Sequence, residues 1–157
     1  EVRQRLEEYF REGEQWGAVK PPFESEVEVE GRRLKVRVEA VEASVERGER
    51  KEHLLVKIRA KIVEEGREVA VEKEAKFFKS VGTIRGYVNI TSAAEGGREV
   101  DYVRTAAVLK TLGIEEWSVT RERGKPKQLK LTGGALEALM RLEPVCAALG
   151  VCQKKKT

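Results

Sequence analysis

Residues 25–40 read SEVEVEGRRLKVRVEA, and polar and apolar residues alternate on both sides of Gly31. The valines before the glycine are separated by glutamates, and the apolar residues from Leu34 to Val38 are separated by lysine and arginine. This period of two on either side of a glycine predicts a β-hairpin with one buried face. We place its two-residue loop at Gly31 and Arg32. That loop would set three oppositely charged pairs across the outer face: Glu30 with Arg33, Glu28 with Lys35, and Glu26 with Arg37.

The same alternation continues toward the C-terminus. The apolar phase flips at Ala40 and Val41, which predicts a one-residue β-bulge. The stretch HLLVKIRAKIVEE, which begins at His53, alternates again and meets REVAVEKEA across a turn at Glu65 and Gly66. The expected register sets Arg59 opposite Glu72 and Lys57 opposite Glu74. These residues predict an antiparallel meander whose solvent face carries charge ladders.

Residues 83–157 predict a strand, a helix, a second hairpin and a last helix, in that order. The apolar stripe of GREVDYVRTAAVLKTLG predicts a helix that ends with Gly113 as its C-terminal cap. The stretch WSVTRERGKPKQLKLT predicts the hairpin, with Trp117 on its inward side. Thr132 is placed to cap the last helix, and Pro144 is expected to end or kink that helix.

These elements predict an α+β fold, with an antiparallel sheet of about six or seven strands and about three helices packed on one face. We expect residues 1–20 to form an N-terminal helix that is stopped by the two prolines after it. Residues 23–157 are then expected to form a single domain. Within it, residues 23–82 form the meander and residues 83–157 the strand-helix-hairpin-helix part.

Charged residues make up 37% of the 157 residues, and the formal net charge is +4. Abundant Glu, Lys and Arg are typical of proteins from hot environments. From Gly97 onward, twelve Lys or Arg accompany seven Asp or Glu, whereas the first 96 residues hold nineteen against twenty. No uninterrupted apolar run of about 18 residues occurs, and the charged first residues do not resemble a secretory signal. We expect a cytoplasmic protein that has no membrane partner and whose basic surface lies in the C-terminal part.

Few residues suggest catalysis. His53 is the only histidine, which removes most metal sites built on His pairs and most Ser-His-Asp arrangements, and no phosphate-binding loop motif is present. The clustered carboxylates are interpreted as solvated: Glu64, Glu65, Glu95, Glu99, Asp101, Glu115 and Glu116. Gly133 and Gly134 either let a helix and a strand pack closely or offer backbone N–H groups to a phosphate. We expect no catalytic residue, no metal and no cofactor.

The two cysteines leave alternatives open. Cys146 is expected to be a buried cysteine on a helix face, and Cys152 to be a terminal one. A disulfide that closes a short C-terminal loop is the alternative, since hyperthermophile proteins keep disulfides inside the cell.

Basic residues are the strongest candidates for a binding site. The second hairpin has a local charge of +4 around the single acid Glu122, and a two-stranded ribbon fits the DNA major groove. Its candidate nucleic-acid contacts are Arg121, Arg123, Lys125, Lys127, Gln128 and Lys130. A secondary basic face lies on the meander and comprises Arg33, Lys35, Arg37, Lys57, Arg59 and Lys61. Because glutamates face that second set and stacking aromatics are missing from it, we interpret it as a structural ion-pair ladder.

The stretches DYVRTAAVLKTLGI, WSVTRERGKPKQLKLTG and ALEALMRLEP together resemble the second half of the LAGLIDADG homing-endonuclease fold, over roughly the last 65 residues. That resemblance implies that the second hairpin lies in the DNA major groove. The metal-binding helix that gives the family its name has no counterpart here, so no catalytic residue is carried over. The tail LTGGALEALMRLEPVCAALG is similar to the PaRep repeated protein families of hyperthermophilic archaea, which implies an association with mobile or repeated elements.

The function expected from these observations is a non-catalytic double-stranded DNA-binding domain that uses the second hairpin. Its partner is double-stranded DNA, and a homodimer is left open. Two alternatives remain. In one, the meander is a protein interaction or oligomerisation module; in the other, the chain is a degenerate, metal-dependent homing-endonuclease half.

Overall fold

The computed structural model describes residues 19–47, 52–80, 82–93 and 96–150. The helix predicted for residues 1–20 lies outside this part of the chain, apart from its last two residues. One of them, Val19, is not helical and forms a parallel bridge with Leu142. Its N–H donates a hydrogen bond to the Arg141 carbonyl, and its carbonyl accepts one from the Glu143 N–H.

Seven strands form one antiparallel sheet, with the spatial order β1-β2-β3-β4-β5-β7-β6. The strands are β1 (Phe23–Val29), β2 (Arg32–Arg47), β3 (Glu52–Glu64), β4 (Arg67–Ser80), β5 (Thr83–Asn89), β6 (Ser118–Glu122) and β7 (Lys125–Thr132). Each of β1 to β4 pairs with the next strand in sequence, as expected for a meander. The second hairpin joins the same sheet through β7, which pairs with β5.

Three helices pack on one face of this sheet: α1 (Gly97–Thr111), α2 (Gly133–Leu139) and α3 (Glu143–Leu149). Inward residues of the strands and apolar residues of the helices form one continuous core, whose fully buried members include Phe77, Ile62, Leu109 and Leu136. The predicted α+β fold class is confirmed, and the described residues form seven strands and three helices. No helix in the described part of the chain has the length and apolar character needed to cross a membrane.

The turn of the first hairpin lies one residue earlier than predicted. Glu30 and Gly31 occupy the loop, with φ of 50° and 79°, and β1 pairs with β2 so that Glu28 faces Arg33. The predicted loop at Gly31 and Arg32 is therefore wrong, and every cross-strand pair shifts by two residues. Two-residue turns of this kind need positive φ at both positions and favour glycine at the second. Opposite charges still face each other, because Glu28 lies opposite Arg33 in place of Lys35, and Glu26 lies opposite Lys35 in place of Arg37.

Other features of the meander are as predicted. The second turn uses Glu65 and Gly66, with positive φ at both residues, and the register sets Arg59 opposite Glu72. The bulge occurs between Val38 and Ala40, where the pairing of β2 with β3 shifts by one residue. It restores the inward orientation of the apolar residues in the second half of β2.

The C-terminal helices differ from the expectation. The predicted last helix ends at Leu139, and Pro144 lies in the first turn of a separate helix, α3. Proline fits that position because the first helical N–H groups have no intrahelical acceptor. Thr132 occupies the N-cap position of α2, but its side chain makes no capping hydrogen bond. Gly113 follows α1 with φ of 91°, as predicted for its C-terminal cap.

Cys146 is fully buried on a helix, as predicted, and it is disulfide-bonded, which is the alternative that the sequence left open. The only other cysteine, Cys152, lies outside the described residues.

A buried ion pair joins α1 to the sheet. Lys73 of β4 donates a 2.5 Å hydrogen bond to Oδ2 of Asp101, and the Thr91 N–H donates to the same oxygen at 2.9 Å. The side chains of Lys73 and Asp101 are only 8% and 6% exposed. The carboxylate was interpreted as solvated, but it fixes the first turns of α1 against β4 and the end of β5.

Gly86 is required by close packing inside the sheet. A Cβ at this position would lie 2.5 Å from Cδ1 of the fully buried Phe77 and 2.8 Å from the backbone oxygen of Lys76. We expect Gly86→Ala to lower the free energy of unfolding by about 1–3 kcal/mol, as overpacked core substitutions do. Urea denaturation measures the change.

The matched control is Gly134→Ala in α2, where an added Cβ would meet no atom closer than 3.8 Å. Alanine is a better helix former than glycine, so this variant should equal or slightly exceed the wild type in stability. If Gly86→Ala were as stable as the control, the close packing at Gly86 would be contradicted. The open space at Gly134 also contradicts the interpretation that this glycine permits a close helix-strand contact.

Candidate nucleic-acid interface

The face of the sheet opposite the helices, which we call the open face, differs in charge balance from one side to the other. On β1 to β4 it carries the secondary basic face together with rows of glutamates. Arg33 lies 3.9 Å from Glu26, and Lys35 lies 3.8 Å from Glu24. Lys61 contacts Glu39 and Glu68 at 3.9 and 3.5 Å. Arg37, Lys57 and Arg59 form no ion pair within the described residues, but each has a glutamate directly opposite on a neighbouring strand. The contacts therefore agree with the ion-pair-ladder interpretation for Arg33, Lys35 and Lys61, and for the other three cations only the register agrees with it.

The other half of the open face ends in the second hairpin, which we call the basic hairpin and define as residues 118–132. Arg123 and Gly124 form its turn, with φ of 53° and 80°, and Glu122 pairs with Lys125 beside it. Arg121 donates a 3.3 Å hydrogen bond from Nη1 to the Gly124 carbonyl and so braces the turn. The turn geometry leaves the Arg123 side chain exposed at the tip.

A β-bulge shapes the hairpin next to its tip. The pairing of β6 with β7 shifts between Thr120 and Arg121, which leaves Lys127 as the additional residue on β7. Pro126 lies in this irregular region, where a missing N–H is tolerated, and the Lys127 carbonyl accepts a 2.9 Å hydrogen bond from the Ile90 N–H. The bulge therefore lets a proline enter β7 and keeps Lys127 exposed.

Glu122 is the only acid among the five cations of the basic hairpin. Lys127 Nζ lies 3.2 Å from one of its carboxylate oxygens, and Arg98 of α1 lies 3.6 Å from the other. The hydrogen bond and charge of Lys127, together with the charge of Arg98, hold the pKa of Glu122 below its usual value. Glu122, which is ionised at neutral pH as exposed carboxyl groups are, therefore partly neutralises Lys127.

The remaining cations of the hairpin are not neutralised in this way. Arg123, Lys125 and Lys130 are exposed and form no ion pair with another residue in the described part of the chain. Of the six predicted contact residues, these three carry charge that is fully available to an anionic partner.

Gln128 is less available than the sequence predicted. Its Nε2 donates a 3.0 Å hydrogen bond to Oδ1 of Asn89 on the neighbouring strand, and its side chain is half-buried. A base-edge contact from this amide would have to replace that hydrogen bond or use the remaining oxygen. Asn89 is a residue that the sequence reasoning missed.

Three further residues were missed. Arg98 reaches the hairpin from α1, although it is distant in sequence. Arg85 and Tyr87 lie on β5, where Tyr87 is directly opposite Lys130 of the hairpin. Their alternation along β5 was visible in the sequence, but the pairing of β5 with β7 was not.

The described residues contain no group of three or more His, Cys, Asp or Glu side chains that could hold a metal ion. His53 lies on β3, with its ring centroid 5.9 Å from that of Phe78.

A scan against protein-family models, a search of curated proteins and a search of solved structures each found no match to the chain.

Proposed function

We propose that this chain is a non-catalytic, double-stranded DNA-binding domain that uses the basic hairpin. The observation that carries the proposal is the contrast between the two halves of the open face. Each cation of the secondary basic face contacts a glutamate or has one directly opposite on a neighbouring strand. Arg123 and Lys130 on the hairpin are exposed and have neither among the described residues, and Lys125, which pairs with Glu122, forms no ion pair with it. Unneutralised, clustered cations are the electrostatic feature that attracts phosphate.

The shape of the hairpin supports the same function. Its two strands form an edge of the sheet, and β5 pairs with residues 128–132 but not with the tip beyond the bulge, where Glu122 contacts Arg98 of α1. A two-stranded antiparallel ribbon fits the DNA major groove, which is about 12 Å wide. In this proposal, Arg121, Arg123, Lys125 and Lys127 contact phosphates along the groove walls, and Gln128 contributes limited reading of base edges. The resemblance to the LAGLIDADG fold implies the same orientation of this hairpin.

Salt dependence tests the proposal. Each phosphate neutralised on duplex DNA contributes about −0.9 to the slope of log affinity against log salt concentration. Four or five contacts on the hairpin predict a slope of about −4. Fluorescence anisotropy with a labelled blunt duplex, titrated at several salt concentrations, measures it. A slope near zero, or no binding at low salt, would contradict the proposal.

Substitution of Glu122 provides a more specific prediction. Glu122 is ionised at neutral pH, so Glu122→Gln removes one negative charge and frees Lys127 and Arg98 for phosphate. We expect duplex affinity at low salt to rise by about two- to tenfold, because the substitution removes one negative charge that repels the DNA phosphates and that little salt screens. The same anisotropy titration measures this change. Equal or weaker binding by Glu122→Gln would show that Lys127 and Arg98 do not contact DNA.

The two alternatives make different predictions. As an interaction module, the chain would pair through β1, the edge strand among the described residues, but that strand carries Glu24, Glu26 and Glu28, and such charges discourage edge pairing. As a degenerate endonuclease half, it would require divalent-metal-dependent cleavage, for which a supercoiled plasmid assay is the direct measurement. The interaction module does not predict duplex binding that depends on the basic hairpin, and the endonuclease half is distinguished by its metal-dependent cleavage.

A further inference from the structure

A depression of about 1090 Å³ lies on the open face, between the end of β4, β5 and the start of α2. Its lining includes Phe78, Arg85, Tyr87, Ser118, Gln128 and Lys130. The volume is at the upper end of the range for small-molecule sites, which is about 300–1,000 Å³. The depression therefore has room for a ligand larger than a simple ion.

Half-buried aromatic rings lie here on the face of the sheet opposite the helices. On β4, Phe77 is fully buried against the helices, and its neighbour Phe78 points to the opposite face. The centroid of the Phe78 ring lies 6.4 Å from that of Tyr87, at an interplanar angle of 65°, and both side chains are half-buried. With His53 on the other side of Phe78, three rings form a row across β3, β4 and β5.

Cations flank these rings in the register of the sheet. Tyr87 lies opposite Lys76 on one side and Lys130 on the other, and Phe78 lies opposite Arg85. Residues directly opposite on one face have Cβ atoms about 4.5–5.5 Å apart, so each ring has a cation within reach. Aromatic faces beside cations along a groove are the feature that binds single-stranded nucleic acid, because every base can stack. The rows of basic residues on β2 and β3 contain no such aromatic residues, but Phe78 and Tyr87 lie on the adjacent strands β4 and β5.

The depression is continuous with the basic hairpin, since Lys130 belongs to both. From Lys130 to Lys125, β7 extends about 17 Å at 3.4 Å per residue. Successive phosphates of one DNA strand advance about 3.4 Å along the helix axis, so this span corresponds to about five nucleotide steps. A duplex held at the tip can therefore place an unpaired end in the depression.

We propose that the depression binds an unpaired nucleotide of the DNA held by the hairpin, with its base stacked on Tyr87 and its phosphates against Arg85 and Lys130. The preferred ligand is then a duplex with a short single-stranded extension. The duplex part of this inference rests on the proposed function, whereas the stacking site is inferred from the rings and cations of the depression alone.

The test compares three labelled probes by fluorescence anisotropy: a blunt duplex, the same duplex with a six-nucleotide extension, and the extension strand alone. We expect wild-type protein to bind the extended duplex about 5- to 100-fold more tightly than the blunt one, the range for stacking one base. Tyr87→Leu should abolish this preference while blunt-duplex affinity changes less than about twofold. Arg85→Gln, an exposed substitution that leaves the core intact, should reduce the preference in the same way.

The outcomes separate the two proposals. If the blunt duplex binds but the extension adds nothing, the inference is overturned and duplex binding stands. If Tyr87→Leu weakens blunt and extended duplexes equally, and Arg85→Gln changes neither, the rings are structural and the inference is again overturned. If only the single strand binds, and binding requires Tyr87, the stacking site is supported and the proposed duplex function fails.

Discussion

Asp101→Ala is expected to lower the free energy of unfolding by about 3–5 kcal/mol, the cost of breaking a buried ion pair by removing one partner. The substitution leaves the Lys73 ammonium, which is 8% exposed, with only the Asn89 carbonyl at 3.3 Å in place of its carboxylate. It also removes the acceptor of the Thr91 N–H. Urea denaturation followed by circular dichroism measures the loss.

Two further variants make that result specific. Glu137→Ala, an exposed substitution on α2, should change stability by less than about 0.5 kcal/mol. Lys73→Met in the Asp101→Ala background should restore part of the loss, because a buried charge without its partner is replaced by an apolar chain. A loss below about 1 kcal/mol for Asp101→Ala, or no recovery in the double variant, would contradict the structural role assigned to this pair.

The second large effect concerns DNA. We expect the variant with Arg121, Arg123, Lys125 and Lys127 changed to Ala to bind a blunt duplex at least about a hundredfold more weakly at low salt. The salt slope should become less steep by up to about four units, because each lost phosphate contact removes nearly one unit. All four residues are exposed, so the substitutions should leave the core intact.

The chain offers a matched control on the same sheet. Changing Arg33, Lys35, Arg37 and Lys57 to Ala removes the same number of arginines and lysines from the secondary basic face. Since glutamates face these residues, the control should retain duplex affinity within about threefold. Equal losses in both variants would mean that DNA responds only to net charge, and a larger loss in the control would move the interface to the meander.

The charge pattern of the sequence predicted strands but could not select the register of the first hairpin. Glutamates repeat at every second position of β1, and basic residues repeat in the same way on β2. A shift by two residues therefore keeps opposite charges paired. Only the turn distinguishes the two registers, and glycine prefers the second loop position, as it does at Gly66 and Gly124.

The candidate site was predictable in part. The exposed cations of the hairpin were predictable from residues 118–132 alone, because the local pattern of basic and apolar residues indicates which side chains face solvent. Contacts between distant residues were not predictable in this way. Lys73 and Asp101 are 28 positions apart and meet only because α1 folds across β4. Tyr87 reaches Lys130 only because β7 inserts between β5 and β6.

Lysine footprinting of the wild-type protein tests the central claim most directly. The protein is acetylated under limiting conditions with and without blunt duplex DNA, and the modified lysines are quantified by mass spectrometry. We expect DNA to protect Lys125, Lys127 and Lys130, which lie on the basic hairpin, and to leave Lys35, Lys57 and Lys61 as reactive as before. Protection of the meander lysines in place of the hairpin lysines, or equal protection of both sets, would contradict DNA binding by the basic hairpin.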